Sequence, residues 1–400
     1  MTSLHRSGTL LIGQAGGATA VINSSLVGVI REARASARFE RVLGMRRAVE
    51  GALQNDFLDL SHLSEERLDR LAQSPGAALA SSRHKIIDDE LETLLDTCRA
   101  QDVQAFLYIG GNDSADTIHR LAAAARRRRQ ELHAIAIPKT IDNDLPCTDH
   151  SPGYGSIARY IAIATMDSAM DTESMPTMYP VKFIEVMGRD AGWVAAASAL
   201  GKRDARDAPH LIYVPELPVS RAQIIADVRE VHALYGHCVA VVTETLRDEQ
   251  RRSHADPTGT AERDRFGHPL IRGTADALCR LVQSELGLRA RFDKPGSLQR
   301  MSMLCASSTD LREAEAVGRA AVGLALAGET DRMVTLERTS NDPYTCVTGS
   351  TPLENVANRQ WLLPDAFLDP QGRGITDEFR AYAMPLLGPE PLPRYVRLPV

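Results

Sequence analysis

Four hundred residues exceed what one hydrophobic core usually supports, so two domains, or one elaborated domain, are expected. Apolar residues at 44% and charged residues at 24% are ordinary for a globular protein in water, and a net charge of −6 argues against general nucleic-acid binding. No window approaches the ~18 consecutive apolar residues of a membrane span, and Met1–Gly13 lacks the apolar core and cleavage site of a secretion signal, so a cytoplasmic location is expected.

Short aliphatic runs bounded by Gly, Pro or polar residues predict buried strands at Thr9–Ile12, Ala105–Ile109, Ala134–Ile137, Phe183–Val186, Leu211–Val214 and Val239–Thr243. Helical spacing falls between them, over Ala20–Ala37, Ser114–Gln130, Tyr154–Thr172, Gly192–Leu200 and Arg221–Tyr235. This alternation implies α/β architecture with mainly parallel sheets. The run Arg126–Arg129 closes a predicted helix, where cations suit the dipole, and reads as a solvated helix end. Leu246–Gly273 is polar and charged and reads as a flexible excursion, and the chain from Pro364 is proline-rich. The six cysteines (Cys98, Cys147, Cys238, Cys279, Cys305 and Cys346) show no CxxC pair or metal-like spacing and read as reduced structural thiols.

Ligands of parallel sheets bind beyond the carboxyl ends of the strands, so the segments after each strand matter most. The first is Gly13-Gln14-Ala15-Gly16-Gly17-Ala18-Thr19, a glycine turn entering a helix. Its amides suit an anion, and an empty tight turn explains it as well. Gly110-Gly111-Asn112-Asp113-Ser114 opens another helix; it is either a phosphate-facing turn with oxygen ligands for magnesium or a helix capped by Ser114.

Pro138-Lys139-Thr140-Ile141-Asp142-Asn143-Asp144 packs two carboxylates, an amide, a hydroxyl and an ammonium into one loop. Carboxylates one residue apart can divide the work of accepting a proton and staying near a cation. The bland alternative is an acidic turn with Asn143 left-handed. Met187-Gly188-Arg189 and Glu244 follow two later strands, and Arg83 adds a forked cation suited to phosphate.

The whole set resembles the phosphofructokinase family, in order and approximate spacing, from about Gly13 to Arg300. Thr-Ile-Asp-Asn-Asp together with Met-Gly-Arg carries the specificity. Two positions resemble the pyrophosphate-using branch. Asp113 stands where ATP users have Gly, so its carboxylate fills and repels the space of a nucleotide phosphate, and Lys139 stands where they also have Gly. A purely structural Lys139–Asp113 pair is the alternative.

The resemblance implies two doubly wound, mainly parallel-sheet α/β domains with the active site in the cleft between them. Residues 1–150, joined by part of 300–345, would form the pyrophosphate domain, residues 151–299 the sugar-phosphate domain, and 364–400 a C-terminal extension. Asp142 would accept the proton of the fructose 6-phosphate 1-hydroxyl. Lys139, Asp113, Arg83 and Gly17 would serve the donor end. Thr140, Ile141, Met187, Gly188, Arg189, Glu244, Ser297 and Arg300 would shape the sugar site, with Arg291 lent across a subunit interface. Mg2+ would lie near Asn112 and Asp144. A homodimer or homotetramer is implied, with fructose 6-phosphate and pyrophosphate as ligands, no membrane or nucleic-acid partner, and a reversible reaction in glycolysis or gluconeogenesis.

Some positions depart from the family pattern: Asn112 replaces its usual Asp, Ser297 its Tyr or His, and Ala18 its proline, while Lys182 is the nearest cation where many members carry Arg. A kinase for another sugar phosphate such as sedoheptulose 7-phosphate, an ATP user, and a non-catalytic regulatory subunit are the rivals.

Overall fold

The computed structural model describes residues 8–256 and 273–398. The described chain forms two compact units, one taking the chain through Ser156 together with Arg300–Trp361, the other Ile157–Gln299 together with the chain from Leu362. Its strands, in order, are β1 (Thr9–Gln14), β2 (Arg41–Met45), β3 (Phe57–Asp59), β4 (Val103–Gly110), β5 (His133–Pro138), β6 (Val181–Val186), β7 (Leu211–Tyr213), β8 (Cys238–Thr243), β9 (Ala290–Asp293), β10 (Arg332–Asn341) and β11 (Tyr344–Pro352).

The first unit holds a seven-stranded sheet in the order β11-β10-β5-β4-β1-β2-β3. Its interior pairings are parallel, and only the β10–β11 and β2–β3 pairs are antiparallel. The central strands are buried on both faces, which explains their unbroken aliphatic runs. Leu10 and Ile12 of β1 and Leu107 and Ile109 of β4 join one core, while Leu11, Phe106 and Tyr108 join the other. Each fully buried aliphatic side chain contributes about 1.5–3 kcal/mol. On the first face the helices Ile22–Ser36 and Ser308–Leu326 approach so closely that a Cβ on Gly28 or Gly318 would strike the opposing backbone.

The second unit holds a fully parallel sheet in the order β7-β8-β6-β9, with a core that includes Val181, Phe183, Ala240, Val242 and Leu278. The chain from Pro364 belongs to this unit and is not a separate extension. Its aromatics explain why: Phe367, Phe379 and Tyr382 close around the buried Trp193, with ring centroids 5.8, 6.4 and 5.5 Å away. The backbone of Arg373 accepts from Ile212 N–H at 2.9 Å, covering the edge of β7.

Of the excursion 246–273, residues 257–272 lie outside the described residues. The described start is a formed turn: Asp248 accepts from the amides of Gln250 at 3.0 Å and Arg252 at 2.8 Å, and Leu246 is fully buried. Arg126 and Arg128 pair with Asp331 and Asp96 at the end of their helix. All six cysteines are free. Among the described residues no helix is long and apolar enough to cross a membrane.

Candidate active site

In the first unit, β1 runs into the glycine turn, where Gly16 takes φ +73°. Thr19 Oγ1 accepts from the amides of Val21 at 3.3 Å and Ile22 at 3.0 Å, tying off the start of the helix. The turn is braced from a distant segment, because Gly16 N–H donates to Ser82 O at 3.1 Å and Ser81 Oγ donates to Gly16 O at 2.7 Å. These bonds bring Arg83, which is exposed, to the turn.

Lys139 directly follows β5 and its side chain reaches back into the same turn, Nζ donating to Gly17 O at 2.8 Å. It is only 3% exposed. Burial, and secondarily Arg300, push its ammonium down to about 8, against the pull of Asp142. Arg300 presses on Gly17, since a Cβ there would lie 2.5 Å from Nη1. Burial and the neighbouring Arg83 lower the guanidinium below its ordinary range, and its buried Nε has no hydrogen-bond partner. Three cations thus converge on one glycine turn. The resemblance implies a sugar-phosphate role for Arg300; its guanidinium lies against the glycine turn of the first unit.

The second glycine turn opens the helix Asn112–Arg128, whose N-cap is Gly111 without a side-chain cap bond. Ser114 therefore does not cap it; its Oγ sits over Gly110, leaving no room for a Cβ there. Asp113 is 82% exposed and lies 3.4 Å from Lys85 Nζ, so the pairing with Lys139 does not form. Lys139 is turned inward and Asp113 outward, and the exposed pair with Lys85 is worth little.

Asn112 Nδ2 donates to Asp144 Oδ2 at 3.2 Å, while Asn112 Oδ1 is buried and has no hydrogen-bond partner. Asp144 is buried and also accepts from Gln360 Nε2 at 3.3 Å; burial raises its carboxyl, and these bonds pull it back. Asn143 does take a left-handed φ of +53°, its Oδ1 accepting from Ser151 N–H at 2.9 Å. Thr140 Oγ1 accepts from Asp142 N–H at 3.1 Å, and Ile141 is buried, so the loop has one defined course around Asp142.

In the second unit, Met187-Gly188-Arg189 and Glu244 follow the paired strands β6 and β8 and lie together. Thr245 Oγ1 donates to Arg189 O, and Thr274 Oγ1 donates to Glu244 O at 3.0 Å. Gly188 has φ +130°, a conformation that favours glycine. Gln299, absent from the sequence-derived set, accepts from Met187 N–H through Oε1 at 3.0 Å. Ser297 is exposed in the turn that precedes it. Arg291 is not brought to this group: it lies on β9 opposite Lys182, at the amino end of β6, stacked 3.3 Å over the Tyr179 ring. Lys182 is itself occupied, 2.6 Å from Asp171.

Gln14 was also missed. It is fully buried, accepting from Leu79 N–H at 2.9 Å and donating to Asn23 Oδ1 at 2.9 Å, which ties the segment before Ser81 to the first helix. Its only sequence signal is a polar residue inside the glycine turn.

A parallel α/β sheet with two glycine turns and a cationic cluster at its carboxyl edge defines a phosphoryl-group-binding protein. The phosphofructokinase signature matches residues 9–325, and the chain belongs to that family. It is 42% identical to a pyrophosphate–fructose 6-phosphate 1-phosphotransferase of Xanthomonas campestris, over 98% of this chain and 96% of that one. A protein of the same name from Halomonas elongata is 40% identical, over 96% and 92%. The crystal structure of a pyrophosphate-dependent phosphofructokinase from Marinobacter aquaeolei aligns with a TM-score of 0.87 at 36% identity, over 98% of this chain and 94% of that one.

Proposed function

We propose that this chain transfers a phosphoryl group from pyrophosphate to the 1-hydroxyl of fructose 6-phosphate, giving fructose 1,6-bisphosphate and phosphate in a reversible step of glycolysis or gluconeogenesis. The observation that carries the donor assignment is Lys139: a nearly fully buried ammonium inside a glycine turn, with Arg83 and Arg300 beside it. Such a cluster is costly when empty and is relieved by a small polyanion.

In the proposed reaction, the sugar hydroxyl loses its proton to Asp142 as its oxygen bonds to phosphorus. The bridging P–O bond of pyrophosphate breaks, and Lys139, Arg83 and Arg300 take up the charge on the departing phosphate. Phosphoryl transfer asks mainly for positioning and charge stabilisation, which these residues supply. Met187, Gly188, Arg189 and Glu244 would hold the sugar, with Gln299 fixing the Met187 backbone.

The orphaned Asn112 Oδ1 and the buried Asp144 carboxylate fit a magnesium ion, which commonly uses one or two protein oxygens and completes its shell with water and substrate phosphates. The ion would lower the charge of bound pyrophosphate. A cytoplasmic homodimer or homotetramer, with Arg291 offered to a neighbouring subunit, is part of the proposal.

Initial rates with fructose 6-phosphate and magnesium, comparing pyrophosphate with ATP at equal concentrations, test it. Formation of fructose 1,6-bisphosphate with pyrophosphate alone is expected. Use of ATP in preference would overturn the donor assignment, and no product with either donor would overturn the acceptor.

A further inference from the structure

The loop that carries Asp142 returns to its own start within the first unit. Thr140 N–H donates to Pro152 O at 3.2 Å, Thr140 and Gly153 form a parallel bridge, and Ser151 N–H donates to Asn143 Oδ1 at 2.9 Å. Thr140 Oγ1 in turn accepts from Asp142 N–H at 3.1 Å. The course of the chain at Asp142 therefore depends on where Pro152 and Gly153 are held. Gly153 fits closely: its φ is +109°, and a Cβ there would lie 3.2 Å from Thr140 O and 3.3 Å from Thr19 Cγ2.

Asp310, absent from the sequence-derived set, holds this end of the loop. It lies in the first turn of the helix Ser308–Leu326, which is capped by Ser307 Oγ accepting from Asp310 N–H at 3.2 Å. The Asp310 carboxylate serves the loop instead. Its Oδ1 accepts from Gly153 N–H at 2.9 Å, and its Oδ2 from Ser156 N–H at 2.8 Å and Ser156 Oγ at 2.6 Å. Ser156 Oγ also accepts from Ser307 N–H at 3.1 Å, which closes the joint. These amides open the helix Tyr154–Ser174, whose amino end favours a carboxylate. Asp310 is 2% exposed, and among the described residues no cation pairs with it. Burial raises its carboxyl, while the bonds from Ser156 and Gly153 pull it back. A buried carboxylate without a cation destabilises a core that apolar side chains could fill. What it adds over apolar packing is a fixed place for the Gly153 amide.

We propose that Asp310 is a positioning residue for phosphoryl transfer, acting through Gly153 and Thr140 to fix Asp142 towards the sugar hydroxyl, a role that rests on Asp142 being the proposed base. Glu313, on the same helix, takes hold of the same loop at His150, 2.6 Å away. The helix is therefore a platform against which the loop is set.

Hydrogen-exchange mass spectrometry of the ligand-free full chain, paired with initial rates on pyrophosphate and fructose 6-phosphate, tests this role. Asp310→Asn keeps the shape but turns an amide donor towards groups that themselves donate, so exchange over residues 140–143 and 152–156 should quicken at least ~tenfold. Its kcat should fall ~10- to 100-fold, as expected for a misplaced reacting group, with KM for both substrates within ~threefold of the wild type. Val322→Ala, fully buried on the same helix, loosens the core without touching these bonds and should leave kcat and the exchange over 140–143 unchanged. Should Asp310→Asn fail to fold, Ser156→Ala carries the test: it removes the hydroxyl bond to Asp310 and should give the same pattern at smaller size. Unchanged exchange over 140–143 in the folded variant would overturn the link from Asp310 to Asp142, and a loss that falls on KM instead of kcat would overturn its catalytic consequence. A wild type that makes no product would overturn the proposed reaction instead, while the exchange comparison still decides the link.

Discussion

Lys139 gives the sharpest test, because one residue is asked both to weaken the empty protein and to tighten pyrophosphate. Its fall from an ordinary lysine near ~10.4 to about 8 corresponds to about 3 kcal/mol of cost for keeping a charged ammonium in place at neutral pH. The folded-state value is depressed, so the unfolded chain binds more protons between pH 8 and ~10.4, and stability rises with pH across that window. The penalty is fully present below pH 8 and is relieved towards ~10.4. Lys139→Met should thus stabilise the ligand-free protein by up to about 3 kcal/mol at pH 7, the gain disappearing at strongly alkaline pH. Pyrophosphate beside the ammonium restores its proton. At pH 9 the ligand-free side chain is about nine-tenths neutral, so binding should take up close to ~0.9 proton per chain. Titration calorimetry in two buffers of different ionisation heat measures this uptake, and Lys139→Met subtracts the protons of pyrophosphate itself. Above pH 8 the wild-type affinity should fall by up to ~tenfold per pH unit. An identical proton count in the wild type and Lys139→Met would refute the reasoning.

Asp142→Asn should lower kcat by at least ~10³-fold with little change in pyrophosphate affinity, checked by initial rates and calorimetry; full residual turnover would remove Asp142 as the base. Asp113→Gly should leave ATP unused unless Lys139→Gly accompanies it, since both fill the space a nucleotide needs; a double variant that gains nothing with ATP would move donor choice elsewhere. His150 is fully buried between Asp149 at 2.7 Å and Glu313 at 2.6 Å, which hold it protonated up to about 9 despite its burial. Its value is raised, so its contribution is complete below pH ~6.5 and is lost as pH rises through 9. His150→Leu should cost about 3–5 kcal/mol at pH 7 by leaving two carboxylates short of their cation, and denaturant titrations at pH 7 and 10 should show that cost shrinking.

The strands that carry the site were readable because they are central. β1, β4 and β5 are buried on both faces, so their sequences are aliphatic runs ending in the functional turns. The outer pair β10 and β11 was not. β10 is buried only from Met333 to Leu336 and runs on into the solvent-facing Glu337-Arg338-Thr339-Ser340, and β11 is mostly exposed or half-buried, so both resemble polar loops. The helix Asp88–Ala100 hid behind its charges, since only Leu91, Leu94, Leu95, Thr97 and Cys98 face inward. Within the proposed site, Asn112, Lys139, Asp142 and Asp144 could be picked out because each lies in the segment that follows a strand. Arg300 could be named but not placed, because its position depends on the chain returning to the first unit at that residue. Gln360, which bonds Asp144, and Lys85, which pairs with Asp113, carry no local pattern at all.

Lys139 and Asp113 were read together from the sequence as one device, and their geometry separates them. Asp113 is exposed at the first turn of its helix, where the dipole favours a carboxylate and water screens it. Its charge is cheap to keep, and in the proposed reaction its effect would be exclusion: a phosphate arriving there would meet a like charge and a side chain where glycine would leave space. Lys139 is the reverse, a costly buried cation whose expense would be recovered when a polyanion enters the turn. Removing Asp113 alone therefore lifts the repulsion but leaves Lys139 in the space a nucleotide needs, so ATP stays unused and pyrophosphate affinity is kept, whereas removing Lys139 alone weakens pyrophosphate without admitting a nucleotide. The two single variants should differ in pyrophosphate affinity, and only the double variant should gain use of ATP, which kcat/KM for both donors in each variant would resolve.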